Sequence, residues 1–434
     1  MKKVLFLLLV GIVSFPANAS VLDKVYLTGE VQTIATSTDH NTTFNYNIWG
    51  GNYDVFRGTR TRAMAGVTAD VKENIKANLL WQYVYDWGDR NYTNNGFQNG
   101  DGIKLANANV AITDLFDAFD ITVGRQFYGD EDSAVMYFGP THYRAAPRMY
   151  AKTLDGATFT YHNDFWKVTL MGGKMGNAEE LYNYGYAHYV DEADTFGGDV
   201  KWKASDEVTL QAYMYDFQAR YMTMISHKHE YRHHGLYGAK LQWTPAIYRF
   251  SAEYARNLAY NHLPKEHHQG SFDSTYMVKT DVAADLGSTF TARGTFLYSN
   301  GLTYVYGNYT PGLIMGELFS SNLWTNENVF GLFTAPHSSY GSVRLFNLGF
   351  DYKPADKWEI SLDGYSFQDR LAERSATLEA DLVVKYDYSN YVQFFAGVGY
   401  VKNGGNSVHY RIGTMKELYG RDNSKVQVGS IVRF

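Results

Sequence analysis

The feature that most constrains the fold of this chain is a two-residue alternation of apolar and polar side chains. The alternation runs through segments of about ten residues along most of the sequence, as in 208–214 and 377–383. Apolar residues at three- and four-residue spacing, which an amphipathic helix requires, are almost lacking. The pattern therefore predicts β-strands with two faces of different polarity. We count eighteen strands, the first near 24–37 and the last near 426–434.

The connections between the predicted strands alternate strictly between short and long. Short ones include 72–74 and 388–390, whereas long ones include 130–149 and 300–343. Bacterial outer-membrane barrels have short periplasmic turns, longer extracellular loops and an even number of strands. Such a barrel must close, because an open edge in lipid would leave backbone N–H and C=O groups unsatisfied. The predicted fold class is all-β, a transmembrane antiparallel β-barrel of about eighteen strands with both termini on the periplasmic side.

The first residues have the pattern of a secretory signal peptide. Lys2 and Lys3 precede the apolar run 4–15, and residues 17–19 read Ala-Asn-Ala, a small-x-small cleavage pattern. The apolar run is shorter than the ~20 residues that a spanning helix needs. We therefore expect residues 1–19 to be a signal peptide and residues 20–434 to form one outer-membrane barrel domain, located in the bacterial outer membrane.

The composition and the last residue bear on the partners of the chain. The 37 Tyr, 26 Phe and 8 Trp suit the aromatic girdles of a membrane barrel. Aromatic residues beside the short connections and near the long ones are expected to form the two girdles, and those near the long connections are Tyr85, Trp87, Tyr215, Tyr298 and Tyr400. The lack of cysteine excludes thiolate metal sites and cysteine nucleophiles, and the net charge of −6 argues against nucleic acid. Phe434 ends an alternating strand, a pattern that resembles the recognition signal of outer-membrane barrels. Expected partners are outer-membrane lipids and lipopolysaccharide, the barrel-assembly machinery through the C-terminal strand, and a small hydrophilic or polysaccharide substrate. We expect no cofactor.

If the apolar positions of the strands face lipid, their neighbours face the lumen. The basic residues that we expect there, as candidates for selectivity, are Arg60, Arg62, Lys201, Lys240, Arg249, Lys279 and Arg293. Acids such as Asp281, Asp285 and Glu379 are interleaved with them. A lumen of this polarity in a barrel of about eighteen strands is wide enough to hold water, which favours a channel. The alternative is that these charges pair with each other and stiffen the wall.

The connection 300–343 is long and unusually apolar, notably at 313–315 and 329–333. Apolar side chains at a barrel mouth gain ~25 cal/mol per Å² when they are buried. We therefore predict that part of this loop folds into or over the mouth, with a short helix at 312–322. The alternative is a lid that packs on neighbouring loops or in an oligomer contact.

Histidines cluster in the predicted outer loops 220–235 and 258–273. They are His227, His229, His233 and His234 in the first loop, and His262, His267 and His268 in the second. Imidazoles bind Zn²⁺, Ni²⁺ or Cu²⁺, so these loops are a candidate metal site. The alternative is an exposed polar surface whose histidines share no ligand.

Residues 121–175 resemble the alginate-export family of outer-membrane proteins. The resemblance lies in Val-Gly-Arg-Gln at 123–126, Tyr-Gly-Asp at 128–130, Asp-Gly at 155–156 and Gly-Gly at 172–173. It implies a single barrel of eighteen strands with an arginine-rich constriction for an acidic polysaccharide, to which Arg125 would contribute.

Together these patterns predict an outer-membrane channel that passes hydrophilic solutes or a carbohydrate polymer. The alternatives are an outer-membrane enzyme and a surface-binding protein with a closed lumen. No Gly-x-Ser-x-Gly motif occurs in the sequence, which counts against an enzyme.

Overall fold

The computed structural model describes the strands, the short turns and parts of the loops. The described ranges are 24–38, 56–87, 103–130, 133–140, 151, 153–176, 188–223, 229–259, 276–299, 312–313, 343–369, 376–402 and 422–434. Within these ranges, no helix has the length and apolar character needed to cross a membrane.

The described residues form twenty strands. They are β1 (Val25–Thr38), β2 (Phe56–Lys72), β3 (Ile75–Asp86), β4 (Lys104–Leu115), β5 (Phe119–Gln126), β6 (Tyr128–Gly129), β7 (Tyr137–Phe138), β8 (Thr153–His162), β9 (Trp166–Gly176), β10 (His188–Lys203), β11 (Val208–Thr223), β12 (His229–Trp243), β13 (Tyr248–Ala259), β14 (Tyr276–Asp285), β15 (Phe290–Ser299), β16 (Val343–Ala355), β17 (Trp358–Asp369), β18 (Thr377–Ser389), β19 (Val392–Lys402) and β20 (Asn423–Arg433).

Eighteen of these strands form one closed sheet in which each strand is antiparallel to its sequence neighbours. Only β6 and β7 lie outside it, as a separate two-stranded pair, so β5 pairs directly with β8. The sheet closes where β1 pairs with β20, from Glu30 opposite Arg433 to Thr38 opposite Lys425. The prediction of an eighteen-stranded closed barrel is therefore confirmed. Both ends of the sheet, the start of β1 and the end of β20, lie on the side of the short turns, which outer-membrane barrels place in the periplasm.

The seam between β1 and β20 is held by backbone and side-chain contacts. Gly29 and Phe434 exchange two backbone hydrogen bonds of 2.8 and 3.0 Å. Beside them, the Arg62 guanidinium donates to Glu30 Oε1 at 2.7 Å, and Arg433 Nε donates to Glu30 Oε2 at 3.2 Å. The Arg62 side chain is fully buried. This ion cluster ties together β1, β2 and β20 at the point where the barrel closes.

The burial pattern is the reverse of that in a soluble protein. Along β18, Glu379 and Asp381 are only 3% exposed, whereas Leu378 and Leu382 on either side of them are 50% and 44% exposed. Apolar side chains on the other strands, such as Leu348, are exposed in the same way. Because polar residues face inward and apolar residues outward, the outer face suits a lipid environment.

Aromatic side chains stand on the outer face beside the short turns. Trp166 stacks on Trp202 with ring centroids 5.6 Å apart, and Trp358 packs on Tyr386 at 4.6 Å. Amphipathic rings are favoured at the membrane–water interface, so these residues mark its periplasmic level. We also expect Tyr215 in a girdle, but the structure buries it in the lumen, because Met214 is the outward residue of that pair.

Candidate functional site

A segment between β5 and β8 folds into the barrel. It carries the small β6–β7 hairpin, and its apolar run Val135, Met136 and Phe138 is at most 3% exposed. Its far end is fixed by Gln82, whose side chain accepts from Ala151 N–H at 2.8 Å and donates to Ala151 O at 3.4 Å. The sequence predicts only an outer loop at 130–149. The run of apolar residues at 134–138 could have indicated the insertion, because exposing these side chains to water is unfavourable.

Beneath this inserted segment, in the half of the lumen nearer the short turns, lies a cavity of about 460 Å³. Its walls come from nine consecutive barrel strands, β3 to β5 and β8 to β13, and its roof includes Tyr128, Asp130 and Met136. Much of the wall is made of small hydroxyl and amide side chains, among them Asn78, Asn107, Asn109, Thr122, Thr158 and Thr169. The cavity is therefore a polar chamber, which suits a hydrated or hydroxyl-bearing solute.

One row of lumen positions is rich in lysine. In register across β9 to β14, successive partners are Lys167, Lys201, Gln211, Lys240, Glu253 and Lys279, which we call the lysine row. Lys167 and Lys201 are directly opposite each other, and like charges so placed destabilise a sheet. The inserted segment relieves part of this repulsion, because Asp130 accepts from the Lys201 ammonium at 2.7 Å.

Tyrosines and carboxylates form the side of the cavity opposite the amide wall. Tyr128 OH lies 3.2 Å from Tyr215 OH and donates to Asp199 Oδ1 at 3.3 Å, while Tyr213 OH donates to Glu253 Oε1 at 2.9 Å. Burial raises the pKa of the Tyr128 hydroxyl, which therefore stays protonated and able to donate.

Two buried acceptor atoms of the cavity lining have no hydrogen-bond partner within the described ranges. They are Asn107 Oδ1 and Asp199 Oδ2. A buried acceptor without a donor costs about 1–3 kcal/mol, so a solute that supplies hydroxyl or ammonium donors would gain by binding here.

The rest of the wall is cross-linked by ion pairs. Arg293 lies between Asp351 and Asp363 at 2.8 and 2.7 Å. Lys279 binds Asp281 at 2.6 Å. These contacts agree with the alternative that many lumen charges pair with each other and stiffen the barrel.

Part of the apolar loop 300–343 also enters the lumen. Leu313 is 1% exposed, its N–H donates to Asp381 Oδ2 at 2.8 Å, and its carbonyl accepts from Lys425 Nζ at 2.9 Å. Gly312 packs so closely on Glu379 that a Cβ would lie 2.8 Å from the carboxylate. The predicted inward folding of this loop holds for residues 312–313, while the rest of the predicted helix 312–322 lies outside the described residues.

The structure gives the predicted lumen residues different surroundings. Lys201 and Lys240 line the cavity, whereas Arg62 is bound in the seam. Arg249 pairs with Asp285 at 2.5 Å but is half exposed, and Arg60 lies opposite Ile34, which faces inward.

Arg125 is not a lumen residue, so that prediction was wrong. It shares its face of β5 with Val123, which is 55% exposed on the outside of the barrel. There it donates two hydrogen bonds to the carboxylate of Asp155. The next partners in register are Lys174 and Asp194, so four charges of alternating sign cross the outer face near the long-loop end.

For the predicted histidine site, the structure describes only the backbone of His229, His233 and His234. His229, His233 and His234 belong to β12 rather than to a loop, because β11 and β12 extend further than the sequence predicts. Their side chains, together with His227, His267 and His268, lie outside what the structure describes.

No protein-family profile matches this chain, and no curated protein sequence matches it. Similar solved structures include OccK5 (OpdH) of Pseudomonas aeruginosa, with a TM-score of 0.55 and 11% identity over 95% of this chain and 99% of that one. OccAB4 of Acinetobacter baumannii has a TM-score of 0.56 and 10% identity over 95% of this chain and 98% of that one. The outer membrane protein OpdK of P. aeruginosa, in a structure solved with vanillate, has a TM-score of 0.56 and 9% identity over 95% of this chain and 99% of that one. The shared fold and the apolar outer face place this protein in the bacterial outer membrane as a multi-pass β-barrel.

Proposed function

We propose that this protein is an outer-membrane channel for small hydrophilic solutes, with the cavity beneath the inserted segment as the place where a passing solute is held. The main support for the proposal is the polar cavity itself, in which Asn107 Oδ1 and Asp199 Oδ2 accept no hydrogen bond from the described residues. Small solutes suit this volume, and clefts of a few hundred Å³ are typical of sites for small molecules.

The lysine row favours anionic or hydroxyl-rich solutes over cations. Lys167, Lys201 and Lys240 reach the cavity, and like-charged neighbours are not explained by wall stability alone. Asp199 and Glu253 oppose them and limit the bias, so we expect modest anion selectivity. One of the solved structures of similar fold contains OpdK with vanillate, which is a small molecule.

Export of a carbohydrate polymer, and of alginate in particular, gains no support from the comparisons. Of the arginines considered for a constriction, Arg125 faces outward, and Arg62, Arg249 and Arg293 are ion-paired with carboxylates. We propose no catalytic role.

A second candidate is a surface-binding protein with a closed lumen. It is favoured by an apolar cluster inside the barrel, which joins the inserted residues Met136 and Leu313 to wall residues such as Leu236, Leu345 and Val383. Apolar contacts across a lumen reduce the space through which water can pass.

Planar-bilayer recording separates these candidates. We expect the purified barrel to conduct, with a reversal potential in a KCl gradient that indicates weak anion preference. Neutralising Lys167, Lys201 and Lys240 to Gln should move that potential toward cation selectivity. The control Lys357→Gln removes one ammonium in a short turn, where it donates to Tyr388 O, and should leave the reversal potential unchanged. Each of the three lumen substitutions made singly should shift the potential more than this control does. A silent bilayer would instead favour the closed-lumen candidate.

A further inference from the structure

Two adjacent short turns bring together three side chains with metal-binding atoms. Asp114 is the next-to-last residue of β4, Asp120 is the second residue of β5, and His162 ends β8. Their ligand atoms, one from each residue, all lie within 4.8 Å of one another. Because β5 pairs with both β4 and β8, the three residues meet on neighbouring strands at the periplasmic rim.

The imidazole of His162 lies at ion-pair distance from both carboxylates of this cluster. His162 Nε2 lies 3.4 Å from Asp120 Oδ1 and 3.7 Å from Asp114 Oδ1. Both distances are longer than the ~2.9–3.0 Å that is most common for an N–H···O bond. Around a tetrahedral Zn²⁺ with bonds of ~2.0–2.2 Å, neighbouring ligand atoms are separated by about 3.3–3.5 Å. The imidazole nitrogen therefore lies from each carboxylate oxygen at close to the separation of two ligands around a shared ion, and all three ligand atoms lie within 4.8 Å of one another.

The backbone fixes this arrangement. Asp114 N–H donates to Asp120 Oδ1 at 3.0 Å, and this hydrogen bond fixes the orientation of the carboxylate. His162 N–H donates to Ala118 O at 2.8 Å, which ties the end of β8 to the β4–β5 turn. The ligands would thus need little rearrangement to bind a metal.

The exposure of the cluster leaves room for water in the remaining coordination positions. The Asp120 and His162 side chains are 37% and 31% exposed, and Asp114 is 69% exposed. By strand alternation, Asp120 lies on the face of Thr122 and His162 on the face of Thr160, and both threonines line the cavity. The cluster is therefore at the lumen side of the rim, below the cavity.

We infer that Asp114, Asp120 and His162 form a site for a divalent transition-metal ion, best suited to Zn²⁺. One imidazole and two carboxylates supply three protein ligands, and water completes the tetrahedron. A bound ion clamps the β4–β5 turn to the end of β8 and adds positive charge at the periplasmic mouth. The site does not include the histidines of 227–234 and 262–268, and it does not depend on the channel function.

The test is calorimetric titration of the refolded barrel with Zn²⁺, with Co²⁺ absorption as a probe of tetrahedral coordination. His162→Ala should abolish one equivalent or weaken it by more than the ~10–100-fold caused by loss of an outer-shell partner. Asp120→Asn, which keeps the side-chain shape, should weaken the same equivalent. Asp117→Asn removes a charge from the same turn without touching the cluster and should leave binding unchanged.

The histidines at the start of β12 require their own control. His233→Ala/His234→Ala should retain the equivalent that depends on His162, with the tetrahedral Co²⁺ spectrum intact. Identical titrations of wild type, His162→Ala and Asp120→Asn would overturn the inference. Loss of all zinc binding in the His233→Ala/His234→Ala barrel would overturn it as well. Heat-modifiable gel migration of each variant identifies those that have folded, and only these are compared.

Discussion

The seam cluster should be the most sensitive polar contact of the barrel, and Glu30→Gln tests it. Glu30 is 8% exposed and accepts from Arg62, whose side chain is fully buried, and from Arg433, which is half exposed. Removing one partner of a buried ion pair costs about 3–5 kcal/mol, because the remaining charge has been taken out of water. Since Gln keeps one acceptor oxygen, we expect the lower end, a loss of about 3 kcal/mol in unfolding free energy.

Urea unfolding of the refolded barrel in lipid vesicles, followed by tryptophan fluorescence, measures this loss. The matched control is Asp285→Asn, which breaks the pair with Arg249 at the exposed periplasmic end of the lumen. Half-exposed pairs contribute about 0–1 kcal/mol, so this control should change the midpoint little. A Glu30→Gln barrel as stable as the Asp285→Asn barrel, with equal denaturant dependence, would refute the reasoning that the buried cluster holds the seam.

Two further predictions concern packing and the inserted segment. Gly156→Ala should destabilise the barrel by about 1–3 kcal/mol, because its Cβ would lie 2.0 Å from the backbone oxygen of Gly172. In the control Gly364→Ala, the nearest atom to the new Cβ is 3.9 Å away, so the same urea titration should show little change. Equal losses of stability in the two variants would contradict the packing argument. Tyr128→Phe removes two hydrogen bonds that hold the inserted segment to the wall, so open-channel current noise should rise. The control Tyr137→Phe removes a hydroxyl that donates to Pro140 O within the segment, and it should not raise the noise. Unchanged noise in Tyr128→Phe would count against an anchoring role.

The barrel could be predicted from the sequence because each of its constraints is local. Alternation along a strand such as 377–383 shows two faces, and connections such as 388–390 and 130–149 differ in length in a regular order. Closure follows from backbone hydrogen bonding in lipid, with no need for tertiary information. The contents of the lumen do not follow in this way. Whether the segment after β5 stays outside or inserts depends on what its apolar residues meet across the barrel, such as the cluster that joins Met136 to Leu236 and Leu345.

The errors at Arg125 and Tyr215 have a common physical origin. Val123 and Met214 are apolar residues on the outer face, and a strand places every second side chain on the same side. Alternation alone therefore assigns Arg125 to the outside, with Val123, and Tyr215 to the lumen, opposite to Met214. The opposite assignments rest on a motif resemblance for Arg125 and on nearness to a long loop for Tyr215. A charged residue is tolerated on the lipid face near the interface, where Arg125 is paired with Asp155 and the depth-dependent cost of charge falls toward zero. In a barrel wall, the parity of a position is thus stronger evidence for its environment than the chemistry of the residue that occupies it.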